Sequence, residues 1–339
     1  MANPKDELMH PVMGDKAWSE SYYFNFVDPD SKVAIFTRMG WRPGDGWADG
    51  LHAVYLGGDR VAFTYGQRNI EQNLAKYNGD LSVGHLTLGC EAPFDHWTIQ
   101  YDGPAQDIAD AAILLERSKL RPEGWFTPAH LNMKLDFKAL YPPHYAADGD
   151  RGHFEQTGEV TGDIKIGDQV FTVRGHGVRD KSWGPRDWGA GASGSGSPAN
   201  TVVGDITDNI TEDGPSPFVN WFSMNFGADL AMGGSCFRHP DGQLRGSGWI
   251  QIDGKTEDLA DVTITSEYKA ASILHKSIVL TGRTTSGKPI HVNGRVLTIC
   301  PTKIPMPGGA TFVNEGLAEF ECDGKVGYGI SEHWHRVSK

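Results

Sequence analysis

The stretch Val313–His335, VNEGLAEFECDGKVGYGISEHWH, consists of two strand-like runs on either side of Asp323-Gly324. Asp-Gly is favoured in two-residue type I′ hairpin loops, because the twist of such a loop matches that of the flanking strands. A two-residue loop also fixes every cross-strand pair behind it. The sequence therefore predicts an antiparallel β-hairpin in which Glu315 faces Glu332.

One face of the predicted hairpin combines apolar side chains with these two glutamates. Leu317 faces Ile330 in this register. Val313 faces Trp334, and the alternation of side chains along a strand puts both pairs on the side of the glutamates. We expect that side to be buried, with the glutamate Cβ atoms about 5 Å apart. Burial of facing carboxylates favours a shared proton, which raises the pKa of one carboxyl and suits it to act as a general acid.

The glutamate pair also has structural explanations. A bulge, a register shift of one residue or an intervening arginine would remove the shared proton, and the arginines available are Arg238, Arg245 and Arg295. The alternation puts His333 and His335 on the other face of the hairpin, which we expect to point outward. We therefore predict two exposed histidines rather than a metal site.

A second predicted strand, Phe218–Phe226, carries two more candidates. Asn220 shares its face with apolar side chains such as Phe222. We expect the Asn220 amide in an apolar interior, where it either ties down backbone or contacts a substrate. Trp221 lies on the opposite, less apolar face.

The composition indicates an all-β protein with two domains. The 43 glycines and 19 prolines are spread along 339 residues, which is typical of many short strands joined by turns. The length favours two domains, which we place at residues 1–185 and 186–339. The segment Ala105–Arg117 is either a short helix or an apolar strand.

Charge and motif content exclude several classes of function. A net charge of −12 without a Lys/Arg cluster makes nucleic-acid binding unfavourable. No apolar run approaches the roughly 20 residues of a transmembrane helix. The chain has no G-x-S-x-G elbow, HExxH motif, phosphate-binding loop or Rossmann glycine cluster. We expect neither a cofactor nor a metal.

The four cysteines and the N-terminus favour a cytoplasmic protein. Cys90, Cys236, Cys300 and Cys322 are far apart and include no CxxC pair. We expect them to be reduced, buried thiols. The first residues lack the apolar core of a signal peptide.

The segment Gly175–Trp188, GHGVRDKSWGPRDW, combines glycines, a proline and tryptophans with charged residues. Because glycine and proline interrupt helices and strands, we expect it to be irregular. The next stretch, Gly189–Ala199, is GAGASGSGSPA, a composition typical of a mobile loop or linker. The charged segment is thus predicted to lie at the boundary between the two domains.

This segment resembles the G-x-G-x-x-D-H-x-W-G signature of the carotenoid 1,2-hydratase (hydroxyneurosporene synthase) superfamily, which includes AttH-like proteins. ESYYFNFVDP at 20–29, HFEQTGEVTG at 153–162 and the C-terminal hairpin are also similar. The resemblance implies two tandem lipocalin-like β-barrel or sandwich domains that act on apolar isoprenoid, polyketide or lipid substrates without an organic cofactor. It places the signature carboxylate at Asp180 and the signature tryptophan at Trp183. Lys181 stands where the family has histidine, so a proton shuttle through that histidine cannot operate here in the same way.

Hydration of a trisubstituted alkene, a reaction that the resemblance implies, requires an acid, aromatic faces and a dry cavity. Protonation of one carbon leaves a tertiary carbocation, to which water then adds. Asp180 beside Trp183, or the glutamate pair beside Trp334, would supply the acid and the aromatic face. In the alternative, Asp180 forms an ion pair with Arg179 or Arg186 and has only a structural role.

We therefore predict a hydratase or dehydratase that acts on an alkene or tertiary alcohol of an apolar, isoprenoid- or lipid-like substrate near the domain interface. The candidate acids are Asp180, Glu315 and Glu332. The residues expected to contact substrate are Trp183, Asn220, Trp221, Tyr328 and Trp334. The alternatives are a pericyclic cyclase or isomerase of the lipocalin-like type, in which cavity shape drives the reaction, and a non-catalytic carrier of apolar ligands.

Overall fold

Strands account for nearly all regular structure in this chain. The computed structural model describes residues 2–147, 149–186, 188, 210–211, 214–306 and 308–338. These residues divide into two compact units, one made of Met1–Asp110 and Pro122–Arg186 and the other of Ala111–Arg121 and Asp187–Lys339. The predicted loop Gly189–Ala199 lies outside the described residues.

The first unit is one antiparallel sheet that returns on itself. Its strands are β1 Trp18–Asp28, β2 Val33–Arg42, β3 Trp47–Tyr55, β4 Val61–Asn69, β5 Leu81–Val83, β6 Leu86–Ala92, β7 His96–Ile108, β8 Thr127–Ala139, β9 His144–Ala147, β10 Gly152–Ile166 and β11 Gln169–Pro185. They pair in the order β4-β3-β2-β1-β11-β10-β8-β7-β6-β5, and β9 pairs with β10. Because β4 also pairs with β7, the strands from β4 to β7 along this path form a ring.

The second unit contains a closed eight-stranded barrel, here called the C-terminal barrel. Its strands follow chain order: β14 Val219–Asn225, β15 Leu230–Arg238, β16 Leu244–Ile252, β17 Lys255–Tyr268, β18 His275–Thr284, β19 Pro289–Met306, β20 Gly309–Cys322 and β21 Lys325–Ser338. A separate two-stranded sheet pairs β12 Ile210–Thr211 with β13 Gly214–Pro215. The pairing of β21 with β14 closes the barrel.

Helical structure is limited to 3₁₀ turns in the described part of the chain. The four 3₁₀ helices are Pro4–Glu7, Leu74–Tyr77, Ala111–Leu115 and Ser118–Leu120. The ambiguous segment Ala105–Arg117 thus contains the end of β7 and one 3₁₀ helix. The all-β prediction is confirmed.

Two further sequence predictions concern membrane spans and cysteines. Among the described residues, no helix has the length and apolar character needed to cross a membrane. All four cysteines have free thiols, as expected. Cys90 is exposed, however, so the prediction that every thiol is buried is wrong for that residue.

The C-terminal hairpin has the predicted register. Glu315 pairs with Glu332, and the flanking apolar pairs are also as predicted. The Asp-Gly loop is the reason, since Asp323 and Gly324 have φ values of 50° and 76°.

The composition of Gly175–Trp188 suggested an irregular segment, and this prediction is wrong. Residues up to Pro185 belong to strand β11, which is hydrogen-bonded to β1 on one side and β10 on the other. A Cβ atom on Gly177 would lie 1.7 Å from the Asn25 carbonyl oxygen, and one on Gly175 would lie 2.1 Å from that of Val27. The glycines are therefore required by the close approach of neighbouring strands, rather than by a break in the strand.

Two charged residues of this segment, Arg179 and Lys181, are buried inside the first unit. Arg179 binds Glu7 through two hydrogen bonds of 2.6 and 2.9 Å, and its Nε donates to Gln156 at 2.8 Å. The alternative in which Arg179 pairs with Asp180 is therefore wrong. Lys181 forms a fully buried ion pair with Glu20, whose carboxylate also contacts His10 Nδ1 at 2.9 Å.

Burial and pairing oppose each other at the Lys181–Glu20 pair. Burial lowers the pKa of Lys181 despite the opposing effect of Glu20. Burial would by itself raise the pKa of Glu20, but Lys181 and His10 outweigh it and lower that pKa. Each partner therefore depends on the other to remain charged in the interior.

We predict that Gly177→Ala destabilises the protein by about 1–3 kcal/mol or more, because the added methyl group must displace the Asn25 carbonyl. Urea unfolding of the full chain measures this change. Gly79→Ala is the matched control, since a Cβ there has no neighbour within 4 Å. We expect the control to change stability by less than about 0.5 kcal/mol. Equal midpoints for the two variants would contradict the explanation.

We predict that Lys181→Met destabilises the first unit by about 3–5 kcal/mol, because it leaves the Glu20 carboxylate buried without its main counter-charge. The double variant Lys181→Met/Glu20→Leu removes both charges and should recover much of this loss. Urea unfolding of both variants provides the measurement. A double variant less stable than Lys181→Met would show that the pair does not act as a unit.

Candidate functional site

The facing glutamates belong to a row of three side chains across neighbouring strands of the C-terminal barrel. Glu315 on β20 pairs with Glu332 on β21, and Glu332 pairs on its other side with Trp221 on β14. We call these three residues the acid row. Glu315 is 3% exposed, Glu332 is 7% exposed and Trp221 is 7% exposed. Two carboxyl groups and an indole are thus held next to one another away from water.

Two further tryptophans flank the acid row. The indole N–H of Trp334 donates a hydrogen bond to Glu332 Oε1. Trp188 stacks on Trp334 with ring centroids 5.4 Å apart and an interplanar angle of 16°. Thr311 Oγ1 donates to the Trp188 carbonyl at 2.6 Å and so holds the Trp188 backbone against β20.

The three arginines considered as partners of the glutamates each have a contact elsewhere. Arg245 pairs with Asp241, and Arg295 donates to Glu319 at 2.9 Å. Arg238 donates to Ser216 Oγ at 2.6 Å. The Glu315 carboxylate also acts on a neighbouring thiol. The Cys300 thiol, which is opposite Glu315, has a pKa well above its usual value because of burial and of that carboxylate.

The acid row lies on the outer face of the barrel wall. The apolar core of the barrel includes Phe222 on β14 and Ala318 and Phe320 on β20. These residues alternate with the acid row along their strands, so the glutamates point away from the barrel interior. The apolar neighbours of the glutamates correctly predicted that this face of the hairpin is buried. They did not reveal that it is the outer face of the barrel and that the other face lines the interior.

The prediction that His333 and His335 are exposed is therefore wrong. Both histidines are fully buried and share the interior face with Ser331 and Asn314. Both faces of β21 are buried here, so the rule that one face of a hairpin is polar and exposed does not apply. The sequence signal was available, because the predicted register already placed His333 opposite Asn314.

The interior face carries a group of uncharged polar side chains, here called the polar interior cluster. It consists of Asn220, Tyr268, His275, Asn314, His333 and His335. His333 is the centre of this group, since it pairs with Asn220 on one side and Asn314 on the other. The Tyr268 hydroxyl lies 2.9 Å from His333 Nδ1, and the His275 ring stacks on His333 at 3.6 Å.

Asp180 lies in the first unit, on the face of β11 opposite to Arg179 and Lys181. Its Oδ2 is 2.5 Å from His153 Nε2, and Glu155 Oε1 lies 3.5 Å from the same nitrogen. Burial by itself lowers the pKa of His153, but Asp180 and Glu155 outweigh it and the pKa is raised. The charge partner of Asp180 is thus a histidine that the sequence prediction did not include.

The same three residues form the one group in the described ranges that could hold a metal ion. The ligand atoms of His153, Glu155 and Asp180 all lie within 4.8 Å of one another. One imidazole and two carboxylates suit a divalent cation, although a protonated His153 competes with metal binding.

The remaining predicted residues lie away from the acid row. Trp183 is in the interior of the first unit, stacked on His10 at 4.0 Å, and its indole N–H donates to the Gly149 carbonyl. Tyr328 is four residues from Glu332 on β21, and its hydroxyl donates to Glu319 at 3.2 Å. These two residues therefore do not contribute to the surroundings of the glutamates.

Comparison with known proteins gives a family and a fold. An AttH-like protein, NE1406, from Nitrosomonas europaea is 12% identical, with a TM-score of 0.54 over 99% of this chain and 97% of that one. Kievitone hydratase from Nectria haematococca is 8% identical, with a TM-score of 0.54 over 97% of this chain and 94% of that one. These likenesses confirm the predicted AttH-like, lipocalin-like fold, whereas carotenoid 1,2-hydratase itself remains a prediction. No curated protein matches the chain. The model of the family described as a domain of unknown function, DUF7064, matches residues 3–337, and the chain belongs to that family.

Proposed function

We propose that the protein is a hydro-lyase that adds water to, or removes it from, an apolar substrate by acid–base chemistry at the acid row. The observation that carries this proposal is the buried Glu315–Glu332 pair beside the Trp188–Trp334 stack. Facing buried carboxylates favour one shared proton. The site therefore combines a proton donor, a proton acceptor and aromatic faces.

The contact between Trp334 and Glu332 suggests how the two glutamates divide the roles. The Trp334 indole donates to Glu332, and a hydrogen bond from a neutral donor favours the charged form of a carboxylate. We therefore assign the shared proton to Glu315 as general acid and the negative charge to Glu332. In this assignment the two residues complete one proton cycle without a cofactor.

Each step of the hydration balances in atoms and charge. The Glu315 carboxyl transfers its proton to the less substituted alkene carbon, and the π electron pair forms the new C–H bond. The cation that remains on the more substituted carbon takes the lone pair of a water molecule. Glu332 then accepts a proton from the bound water, and the proton returns to Glu315 across the pair. Dehydration of the tertiary alcohol is the reverse.

The tryptophans supply the electrostatic part of the mechanism. The face of an indole ring attracts a cation, and this attraction is stronger where water is excluded. Trp221 pairs with Glu332 on β14, and Trp334 follows two residues later on β21. In this proposal, either ring stabilises a carbocation formed next to Glu315.

The fold comparison supports the reaction class at a coarse level. One solved neighbour is named kievitone hydratase, and the resemblance seen in the sequence implies isoprenoid- or lipid-like substrates. Asp180 with His153 is a second candidate acid. We rank it below the glutamates because Asp180 already carries an ion pair with a histidine of raised pKa.

We predict that Glu315→Gln abolishes hydration, with a loss of at least about 100-fold, because it removes the proton donor. The measurement is mass spectrometry after incubation of a panel of terpenoids, fatty acyl compounds and their tertiary alcohols in heavy-oxygen water. Wild-type protein should incorporate one heavy oxygen atom into a product. Glu321→Gln is the matched control, an exposed glutamate on the same strand, and should retain wild-type turnover.

Other outcomes of the same experiment would contradict the proposal. Full turnover by Glu315→Gln, with a rearranged product and no heavy oxygen, would identify a pericyclic cyclase or isomerase. Stoichiometric binding of a panel member that stays chemically unchanged would identify a carrier.

Measurement of stability against pH tests whether Asp180 forms the ion pair with His153 that makes it the weaker candidate acid. The raised pKa of His153 means that its ion pair stabilises the fold fully below the ordinary histidine pKa of about 6.5. This stabilisation is lost as the pH rises through the folded-state pKa. The unfolding free energy of the wild type relative to His153→Gln should therefore fall from acidic to alkaline pH. A difference independent of pH would mean that no such ion pair forms.

A further inference from the structure

Three potential metal ligands meet on the outer face of the first unit. His153 and Glu155 are two residues apart on β10, so their side chains share one face, and Asp180 on β11 pairs directly with Glu155. Asp180 alternates along β11 with Arg179 and Lys181, which lie in the interior. The β10–β11 register thus holds an imidazole and two carboxylates, here called the His–Glu–Asp group, on the side of the sheet away from the core.

The ligand atoms of this group are close enough together to share one ion. His153 Nε2 lies 2.5 Å from Asp180 Oδ2 and 3.5 Å from Glu155 Oε1, and all three atoms lie within 4.8 Å of one another. Zinc binds imidazole nitrogen and carboxylate oxygen at about 2.0–2.2 Å. Neighbouring ligand atoms on such an ion are about 3.0 Å apart in an octahedron and about 3.4 Å apart in a tetrahedron. Side-chain movements of roughly 1 Å therefore bring the three atoms to the distances that a bound ion requires.

One proton cannot serve both carboxylates of the group at this imidazole nitrogen. His153 Nε2 carries at most one proton. Asp180 takes the hydrogen bond at 2.5 Å, and Glu155 Oε1, at 3.5 Å, is too far away for a strong one. Carboxylates opposite each other on paired strands also repel. A metal ion removes this conflict, because it binds all three atoms at once.

The charge of the surroundings matches a divalent ion. Burial by itself lowers the pKa of His153, but Asp180 and Glu155 outweigh it, so the two carboxylates attract positive charge at this imidazole. A divalent ion supplies twice the charge of the proton that it replaces. Arg186 opposes positive charge at His153, but it is one charge against two carboxylates, and its Nη2 donates to Ser182 Oγ at 3.1 Å.

Two other histidine–aspartate contacts in the first unit lack a third ligand. His96 Nε2 lies 2.6 Å from Asp136 Oδ1, and His130 Nε2 lies 2.7 Å from Asp102 Oδ1. Among the residues that the structure describes, neither contact belongs to a set of three converging ligands. The second carboxylate, that of Glu155, therefore distinguishes the His–Glu–Asp group from an ordinary surface ion pair.

An ion can reach the group from solvent. The side chains of His153 and Asp180 are 24% and 16% exposed, whereas that of Glu155 is 3% exposed. One ligand is thus anchored in the protein, and the other two face the entrance. Three protein ligands also leave coordination positions for water, as in catalytic zinc sites.

The mixture of donor atoms selects the kind of ion. Ca²⁺ and Mg²⁺ prefer oxygen ligands, so an imidazole nitrogen disfavours both. One imidazole and two carboxylates suit a divalent transition-metal ion, of which Zn²⁺ accepts both kinds of ligand in its common protein sites.

We propose that the His–Glu–Asp group is a binding site for a divalent transition-metal ion such as Zn²⁺, with His153 Nε2, Glu155 Oε1 and Asp180 Oδ2 as its ligand atoms. The site is in the first unit, whereas the acid row is in the second. It is therefore independent of the hydro-lyase activity, and a failure of either proposal leaves the other intact. The sequence did not predict the site, because Asp180 joins the other two ligands only through the pairing of β10 with β11.

Zinc binding to the full chain, after removal of metal with a chelator, tests the proposal. All proteins carry Cys90→Ser, because the exposed Cys90 thiol is itself a zinc ligand. We expect titration calorimetry at about pH 7.5 to show one Zn²⁺ per chain with roughly micromolar or tighter affinity, and no binding of Mg²⁺. Glu155→Gln and Asp180→Asn keep the side-chain shape, and each should weaken Zn²⁺ binding at least about 100-fold.

His130→Gln is the matched control, since it removes a histidine that contacts one aspartate, and it should retain the affinity of the parent protein. No stoichiometric binding, or equal affinity of Glu155→Gln and the control, would overturn the proposal and leave the group as an ion pair only. If the ligand variants do not fold, NMR of the parent protein with ¹⁵N-labelled histidine decides. Zn²⁺ should then shift the imidazole signals of His153 and leave those of His130 in place, whereas unshifted His153 signals would overturn the proposal.

Discussion

The two-residue repeat of the β-strand is the constraint on which the acid row and the polar interior cluster depend. Strands β20, β21 and β14 carry the acid row on their outer face and Asn220, Asn314, His333 and His335 on their inner face, one residue apart where the two sets meet. A register shift of one residue would place the glutamates in the apolar interior and the histidines outside. The Asp323-Gly324 loop therefore sets the register of β20 against β21 and with it the positions of Glu315, Glu332, Asn314 and His333.

The two units bury polar groups in different ways. In the first unit, Arg179 and Lys181 are buried as charges, each paired with a glutamate from the N-terminal part of the chain. In the C-terminal barrel, the buried histidines are held neutral, because burial disfavours their charged form and no carboxylate among the described residues shares the interior face near them. The first arrangement satisfies its own hydrogen bonds and stabilises the fold. The second leaves buried donors and acceptors without a hydrogen-bond partner among the described residues.

Local patterns predicted much of the fold. Gly-rich turns and alternating strands indicated an all-β chain, and the Asp-Gly loop gave the correct pairing of Glu315 with Glu332. The same approach failed for Gly175–Pro185. Glycine does not break the strand there. The close approach of the Asn25 and Val27 backbone requires glycine within it. Composition describes a single strand, whereas this requirement comes from its neighbours.

The sequence by itself determined the strand content, the hairpin register and which residues share a face of β20 and β21, because these follow from local geometry and turn chemistry. Only the tertiary structure decided which face lines the barrel, since both faces of β21 are buried and burial alone does not tell them apart. It also brought His153 to Asp180, and Tyr268 and His275 to His333, across separations that no local pattern encodes. Long-range pairing decides these contacts, because a strand specifies its own alternation but not its partner.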